Sequence, residues 1–280
     1  MANPLQQAIN SSLRANDAIG ASFARIGTAA HPRGFVTSAY RQAGRAMRQA
    51  LAEQNKVAAA EDVMRTLRQS IYAGLLSEFA DMQAFGSEEA ERQLGYYGVN
   101  PGVSMALSGE SDSAVAAVIA RVDTQSAIVR AMLLNGASDV EVVGDDDRAG
   151  ILRYGEVAVA AAYWAGNLVW AGFSGRVDDA RQTFKKQAIA ALDSRTTNCC
   201  LRVHGQIKPL NQPFHLTGEP RFADDMDWPQ FHYWCRTSVA LYLDEYDDGL
   251  TARMRAGAAQ ILSERARGIN IDRQPVDAFG

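Results

Sequence analysis

Three cysteines and two of the four histidines are the side chains of this chain that could do chemistry together. Cys199 and Cys200 are neighbours, His204 follows them, and His232 and Cys235 lie further along the chain. Thiolates and imidazole are donors that zinc prefers, and a structural zinc site is tetrahedral. Cys200, His232 and Cys235 could therefore supply three ligands to a zinc ion, with Cys199 or His204 as the fourth.

The same thiols allow two further interpretations, which the sequence leaves open. Cys200 and Cys235 could be a dithiol in a reducing cytoplasm and a disulfide after release to air. All three cysteines could instead be buried free thiols, since cysteine is among the most buried residue types. The sequence therefore predicts no cofactor other than the zinc of the first interpretation.

Catalysis would need Cys199 or Cys200 paired with His204 or His232 as thiolate and imidazole. A cysteine and a histidine in one segment are a common coincidence, and no oxyanion-stabilising element is visible in the sequence. We therefore expect no enzymatic activity and predict no catalytic residue.

The composition limits the classes of partner. The chain has 28 Lys and Arg residues against 32 Asp and Glu, a formal charge of -4, so no global positive field draws it to nucleic acid. Any contact with DNA must be local. No apolar stretch is long enough to cross a bilayer, and the first residues lack the basic-then-apolar order of a signal peptide. We therefore expect no membrane association and a protein that is made and kept in a cytoplasm.

Apolar residues recur at helical spacing through the first half of the chain. They predict a helix that begins near Pro4 and ends before His31, followed by helices at 36–53, 57–85 and 113–134. The sequence from Gly86 to Glu89 is typical of a helix stop followed by a new N-cap, and 95–102 is predicted to be a loop.

A short acidic run at 144–147 is the predicted boundary to a second region. Beyond it the pattern predicts helices at 151–170, 177–192 and 251–267, a hairpin that turns at His204–Gly205, and a strand at 235–243 with one buried face. The expected fold class is α+β, with a mostly helical N-terminal region followed by a small module of helices packed on a short antiparallel sheet. The predicted domains are a helical region at 1–144, this module at 145–246, and a C-terminal helix with an extended tail at 247–280.

One set of residues carries a resemblance, and its members are Asp193, Arg195, Thr196, Cys200, Gly205, Pro229, His232, Cys235 and Arg236. Their order and spacing resemble the core of the Mu F-like phage head morphogenesis proteins over about 155–242. In that family a helix ends in an Asp-x-Arg-Thr turn, a Cys follows, a Gly closes a hairpin, and a Pro-x-x-His-x-x-Cys-Arg-like run begins the last strand. This chain has Thr197 and Thr237 where members that look like zinc binders often carry further cysteines, and Tyr233 follows His232 where Pro is usual.

The resemblance implies a structural minor head protein of a tailed-phage virion, assembled in the bacterial host cytoplasm. Its implied partners are the portal, other virion proteins and, locally, packaged DNA, and its implied role is head assembly or DNA packaging and ejection. The helical region 1–144 is then expected to form oligomers or dock on the portal. The resemblance also implies that Cys200 and Cys235 lie close together, because the hairpin and the last strand of such a module belong to one sheet.

Two alternatives belong to different functional classes. A head-tail connector or neck protein would form a symmetric ring whose copy number matches the portal. A metal-dependent enzyme delivered with the phage DNA would need bound metal and a measurable activity. The sequence does not give the copy number, which would distinguish a connector from a minor head protein.

Overall fold

A computed structural model describes residues 3–26, 34–99, 110–137, 159–160, 163–164, 184–218, 220, 222–232 and 235–269. The helices are α1 (Pro4–Ile26), α2 (Phe35–Ala50), α3 (Lys56–Tyr96), α4 (Glu110–Leu134), α5 (Asn198–Val203) and α6 (Leu250–Ala266). The strands are β1 (Lys185–Ala190), β2 (Ile207–Pro209), β3 (Phe214–His215), β4 (Asp225–Met226) and β5 (Thr237–Tyr242). This arrangement confirms the predicted α+β class. The acidic run at 144–147, most of the predicted helix at 151–170, the part of the next helix at 177–183, and the tail at 270–280 lie outside the described residues.

The chain forms two compact units whose ranges differ from the predicted domains. The sheet unit comprises Met1–Ala18, Gln83–Leu107 and Tyr163–Gly280, and the helical unit comprises Ile19–Met82 and Ser108–Ala162. The limits of these units do not coincide with the predicted boundaries at 144 and 246. The reason is packing, because Leu5 and Ile9 of α1 lie in one apolar cluster with Ile189 of β1. The first residues of the chain thus belong to the core of the sheet.

The main sheet has the order β2-β1-β5 and is antiparallel throughout. Gln187 of β1 pairs with Ile207 of β2 on one side and Ala240 of β5 on the other. The predicted helix at 177–192 is therefore wrong over 185–190, which is the central strand. Lys, Gln and Ala are good helix formers, but helix propensity is a small contribution per residue, and pairing with two strands distant in sequence overrides it.

The strand predicted at 235–243 is confirmed as β5, but both of its faces are buried. Ala240 and Tyr242 pack with residues of α1 and α6 on one face. On the other face, Leu241 pairs in register with Lys186, whose amine lies against Phe214 of the segment between β2 and β5. The long polar loop expected between the two strands therefore covers the second face of the sheet.

Side chains of α1, of α3 and of the residue that follows α3 occupy the outer edge of β5. Ser12 donates to the carbonyl of Val239 at 2.7 Å, and Gln93 accepts from the backbone N–H of Leu241 at 2.8 Å. Tyr97 donates to the carbonyl of Leu241 at 2.7 Å. These three bonds do what a further strand would do, since an edge strand otherwise leaves backbone groups without partners.

The predicted helix stop at Gly86 is also wrong, because α3 continues to Tyr96. Glu89, Ala90, Gln93 and Leu94 are buried on the part of α3 that belongs to the sheet unit. Burial of this face outweighs the cost of about 1 kcal/mol that one glycine imposes on a helix interior.

The helical unit packs the apolar stripe that the sequence predicted on α3. Leu67, Ile71 and Leu75 are buried, and Tyr40 of α2 donates to Gln125 of α4 at 2.8 Å. Over the part of the chain that the structure describes, none of the helices combines the length and the apolar composition of a membrane span.

The predicted hairpin at His204–Gly205 is wrong, because Cys199 and Cys200 lie on the short helix α5 instead of a strand. Gly205 takes the positive φ of +75°, whereas His204 has a φ of -56°. The N–H of Gly205 donates to Ala188 at 2.8 Å, which joins the end of α5 to the sheet. A short apolar alternation fits a strand and a helical turn equally well, so the pattern did not distinguish them.

Candidate functional site

Three thiols and one imidazole meet where the start of α5 faces the segment before β5. Sγ of Cys200 lies 3.0 Å from Nε2 of His232 and 3.7 Å from Sγ of Cys235. The donor atoms of Cys199, Cys200 and His232 all lie within 4.8 Å of one another. We call these four residues the thiol cluster. The predicted proximity of Cys200 and Cys235 is confirmed.

The structure distinguishes between the two fourth ligands that the sequence allowed. Cys199 belongs to the thiol cluster because successive side chains of a helical turn are about 100° apart, so two neighbours can face the same site. His204 points elsewhere, since its Nδ1 accepts a hydrogen bond from the N–H of Ala190 at 2.9 Å.

All three cysteines are free thiols. The separation of 3.7 Å between Sγ of Cys200 and Sγ of Cys235 is a contact distance, whereas a disulfide bond is about 2.0 Å long. A disulfide between these two residues therefore stays a prediction that requires the two sulfurs to approach further.

Thr197 also belongs to the site, although the sequence did not predict it as a site residue. Its Oγ1 lies 2.9 Å from Nε2 of His232 and 3.1 Å from Sγ of Cys199. The residue is at the N-cap of α5, but its hydroxyl makes no capping hydrogen bond. The signal for this position in the sequence was the resemblance, because members that look like zinc binders often carry a further cysteine there.

The hydrogen bonds of the thiol cluster separate the pKa values of its members. The bond from Cys200 lowers the pKa of Cys199 to about 6, against the effect of burial and with help from Thr197 and His232. Burial opposes ionisation of Cys235, but bonds from Cys200 and His232 outweigh it and lower the pKa of that thiol. Bonds to Cys199 and Cys235, together with burial, raise the pKa of Cys200. Hydrogen bonding within the cluster therefore favours ionisation of Cys199 and Cys235 over ionisation of Cys200, and the thiolate is the form that binds metals.

Asp193 links the turn after β1 to the residue that follows Cys235. Its Oδ1 accepts from the N–H groups of Arg195 and Thr196 at 3.0 Å each and from Oγ1 of Thr196 at 3.1 Å. Its Oδ2 lies 2.5 Å from Nη1 of Arg236. The ion pair is largely buried, since the carboxylate side chain is 5% exposed and that of Arg236 is 29% exposed.

The segment that carries His232 is attached to the sheet through a buried lysine. Nζ of Lys186 donates to the carbonyl of Asp227 at 2.7 Å and lies 4.2 Å from the centre of the Trp228 ring. The same Nζ lies 5.1 Å from the centre of the Phe214 ring. Burial lowers the pKa of Lys186 to about 8, and the carboxylate of Asp227 partly opposes that shift.

The structure brings most of the predicted motif together. The thiol cluster and the Asp193–Arg236 pair contain Cys200, His232, Cys235, Asp193 and Arg236, and Thr196 bonds to Asp193. Three motif residues act through the backbone or by burial instead. Arg195 contributes its N–H, the carbonyl of Gly205 accepts from Arg255 at 3.1 Å, and Pro229 is buried.

Comparison of the chain with protein-family models, curated proteins and solved structures finds no match.

Proposed function

We propose that this chain is a structural minor head protein of a tailed-phage virion, associated with the portal and acting in head assembly or in DNA packaging and ejection. One observation supports the proposal. Six of the nine residues that carry the resemblance come from the two stretches 193–200 and 232–236, and they meet in the Asp193–Arg236 pair with Thr196 and in the thiol cluster. Such convergence is expected if the motif is the core of a folded module.

The position of Thr197 adds to this argument. It stands where some Mu F-like members carry a further cysteine, and its hydroxyl contacts His232 and Cys199. A residue at that position is therefore directed into the same cluster, although its side chain differs from the one the family often has.

Burial of the cluster favours a structural role over a catalytic one. Cys199 is 2% exposed, Cys200 is 0% exposed and His232 is 4% exposed. A nucleophilic thiol must reach a substrate atom, and buried structural cysteines are inert. We therefore propose that the protein is not an enzyme and that these residues hold the module together.

We infer that the helical unit supplies a surface for a virion partner. Ile128 and Met132 of α4 are large apolar side chains, 52% and 42% exposed, and they lie on one face of the helix because they are four residues apart. Exposed apolar residues in a cluster mark protein-protein contacts more often than isolated ones do. The proposed partner for this surface is the portal, and the place of assembly is the host cytoplasm.

Analysis of purified particles by mass spectrometry tests the proposal. Particles produced from the host that carries the gene should contain the chain together with the portal. The copy number of the chain relative to the portal also distinguishes a minor head protein from a connector, because a ring-forming connector must match the symmetry of the portal. Full particles that contain the portal and lack the chain would show that the proposal is wrong.

Paired variants on α4 test the surface. Ile128→Asp places a charge among the exposed apolar residues, and Ala127→Asp places the same charge on an exposed position about 100° around the helix. We expect Ile128→Asp to lower incorporation into particles at least about tenfold, a loss of about 1.4 kcal/mol in binding, while Ala127→Asp is incorporated like the wild type. Equal incorporation of both variants, each with a wild-type circular dichroism spectrum, would place the partner surface elsewhere.

A further inference from the structure

The thiol cluster contains enough donors for a complete metal coordination shell. The donor atoms of Cys199, Cys200 and His232 lie within 4.8 Å of one another, and Cys235 adds a third sulfur 3.7 Å from Sγ of Cys200. We propose that these four residues bind one zinc ion in a closed tetrahedral site. This inference does not depend on the virion role, because it concerns only the chemistry of the cluster.

Two distances from Sγ of Cys200 are close to those of a tetrahedron around zinc. A zinc-sulfur bond is about 2.3 Å and a zinc-nitrogen bond about 2.0 Å, so two sulfurs of one tetrahedron are about 3.8 Å apart and a sulfur and a nitrogen about 3.5 Å apart. Sγ of Cys200 and Sγ of Cys235 are 3.7 Å apart, which is the zinc value. The shorter distance of 3.0 Å between Cys200 and His232 requires an outward shift of about half an ångström, within the reach of a small rotation of either side chain.

The donor types select the metal. Three thiolates and one imidazole form a soft set that suits zinc, whereas magnesium and calcium need oxygen ligands. Four protein ligands leave no coordination position for water or a substrate, which is the arrangement of structural zinc sites. Zinc bound here would therefore act as a cross-link.

The proposed ion joins two parts of the sheet unit that are far apart in sequence. Cys199 and Cys200 are at the start of α5, whereas His232 and Cys235 are in the segment that leads into β5. Thr197 then serves the site from outside the ligand set. When Nε2 of His232 binds zinc, the hydroxyl of Thr197 keeps its contact with Sγ of Cys199, 3.1 Å away, and stabilises that thiolate by donating to it.

Metal binding is tested on the reduced full-length chain. Elemental analysis of protein purified with zinc should give one zinc per chain, and titration with cobalt alone should produce the intense visible absorption of tetrahedral cobalt bound by thiolates. A dye that reports free zinc should register its release when the thiols are modified, which needs no variant. A wild-type chain that binds neither zinc nor cobalt, or whose Cys200 and Cys235 form a disulfide in the presence of zinc, would overturn the proposal.

Two histidine variants identify the ligand. His232→Gln removes a proposed ligand, and His215→Gln changes an exposed histidine whose Nδ1 lies 3.0 Å from Asp225. We expect His232→Gln to weaken cobalt binding by at least about a hundredfold and His215→Gln to leave it unchanged, since loss of a ligand costs more than loss of an outer partner. Wild-type affinity and an unaltered spectrum in His232→Gln would exclude His232 as a ligand. If His232→Gln does not fold, Cys235→Ser, whose thiol is only half-buried, provides the same comparison.

Discussion

Asparagine in place of Asp193 would keep the shape of this side chain and remove its charge. The amide oxygen can still accept the three hydrogen bonds that Oδ1 receives from Arg195 and Thr196. The amide nitrogen, by contrast, would face Nη1 of Arg236, which lies 2.5 Å from Oδ2 in the wild type. The variant therefore removes the ion pair and leaves the turn intact.

The expected loss follows from the burial of the two partners. Removal of one member of a fully buried pair costs about 3 to 5 kcal/mol, because the other charge stays buried without a partner. The side chain of Arg236 is 29% exposed and keeps part of its hydration, so we expect about 2 to 3 kcal/mol for Asp193→Asn. Arg236→Met should cost a similar amount, and the double variant should cost clearly less than the two single variants together.

Urea unfolding followed by tryptophan fluorescence measures the free energy of unfolding of the sheet unit, which contains both Asp193 and Arg236. Trp164 and Trp228 belong to the sheet unit. The matched control is Asp244→Asn, which removes a pair with Lys185 whose carboxylate is 68% exposed, and we expect it to cost less than about 1 kcal/mol. A coupling free energy below about 0.5 kcal/mol between Asp193 and Arg236 would refute the reasoning, since that is the value of an exposed pair.

Three further predictions concern other parts of the chain. Gln93→Leu removes the acceptor for the N–H of Leu241 and should destabilise the sheet unit by about 2 to 3 kcal/mol in the same fluorescence assay; an unchanged urea midpoint would contradict it. Burial lowers the pKa of Lys186 from 10.5 to about 8, so the unfolded chain binds more protons than the folded chain between these two pH values. The free energy of unfolding of the wild type should therefore rise with pH in this range. The rise should reach about 3 kcal/mol relative to Lys186→Met, which has no amine to titrate. A difference between these two proteins that does not change with pH would exclude the shift. In the helical unit, a Cβ at Gly74 would lie 2.6 Å from the ring of Phe35, whereas one at Gly44 would meet nothing within 4 Å. Gly74→Ala should therefore lower the free energy of unfolding by about 1 to 3 kcal/mol, and Gly44→Ala should raise it by about 0.5 to 1 kcal/mol, as measured by circular dichroism; equal effects of the two substitutions would be inconsistent with this packing.

Periodicity predicted the long helices well and their ends less well. The stripe through Leu67, Ile71 and Leu75 is a repeated signal over several turns, and all three side chains are buried. The stop at Gly86 rested on one residue and its neighbours, and burial of the following turns overrode it. A signal that sums over many residues is harder to override than one glycine.

The short elements around the site were predicted with the wrong type. Lys185–Ala190 has a composition compatible with helix, and only the ladders with β2 and β5 make it a strand. Cys200 to His204 alternate like a strand, yet α5 forms because the chain turns at Gly205 to return to Ala188. For segments of about six residues, tertiary contacts decide between the two states.

The sequence by itself determined the α+β class and the residue types of the site, including the closeness of Cys200 and Cys235 that the resemblance implied. It could not determine that Cys199 joins them while His204 does not, nor that Arg236 pairs with Asp193. Helical periodicity is a local property that neighbouring residues encode directly. Contacts across long loops depend instead on which surfaces pack, on the cost of closing the loop and on which buried charges find partners, and these are settled only when the whole unit folds.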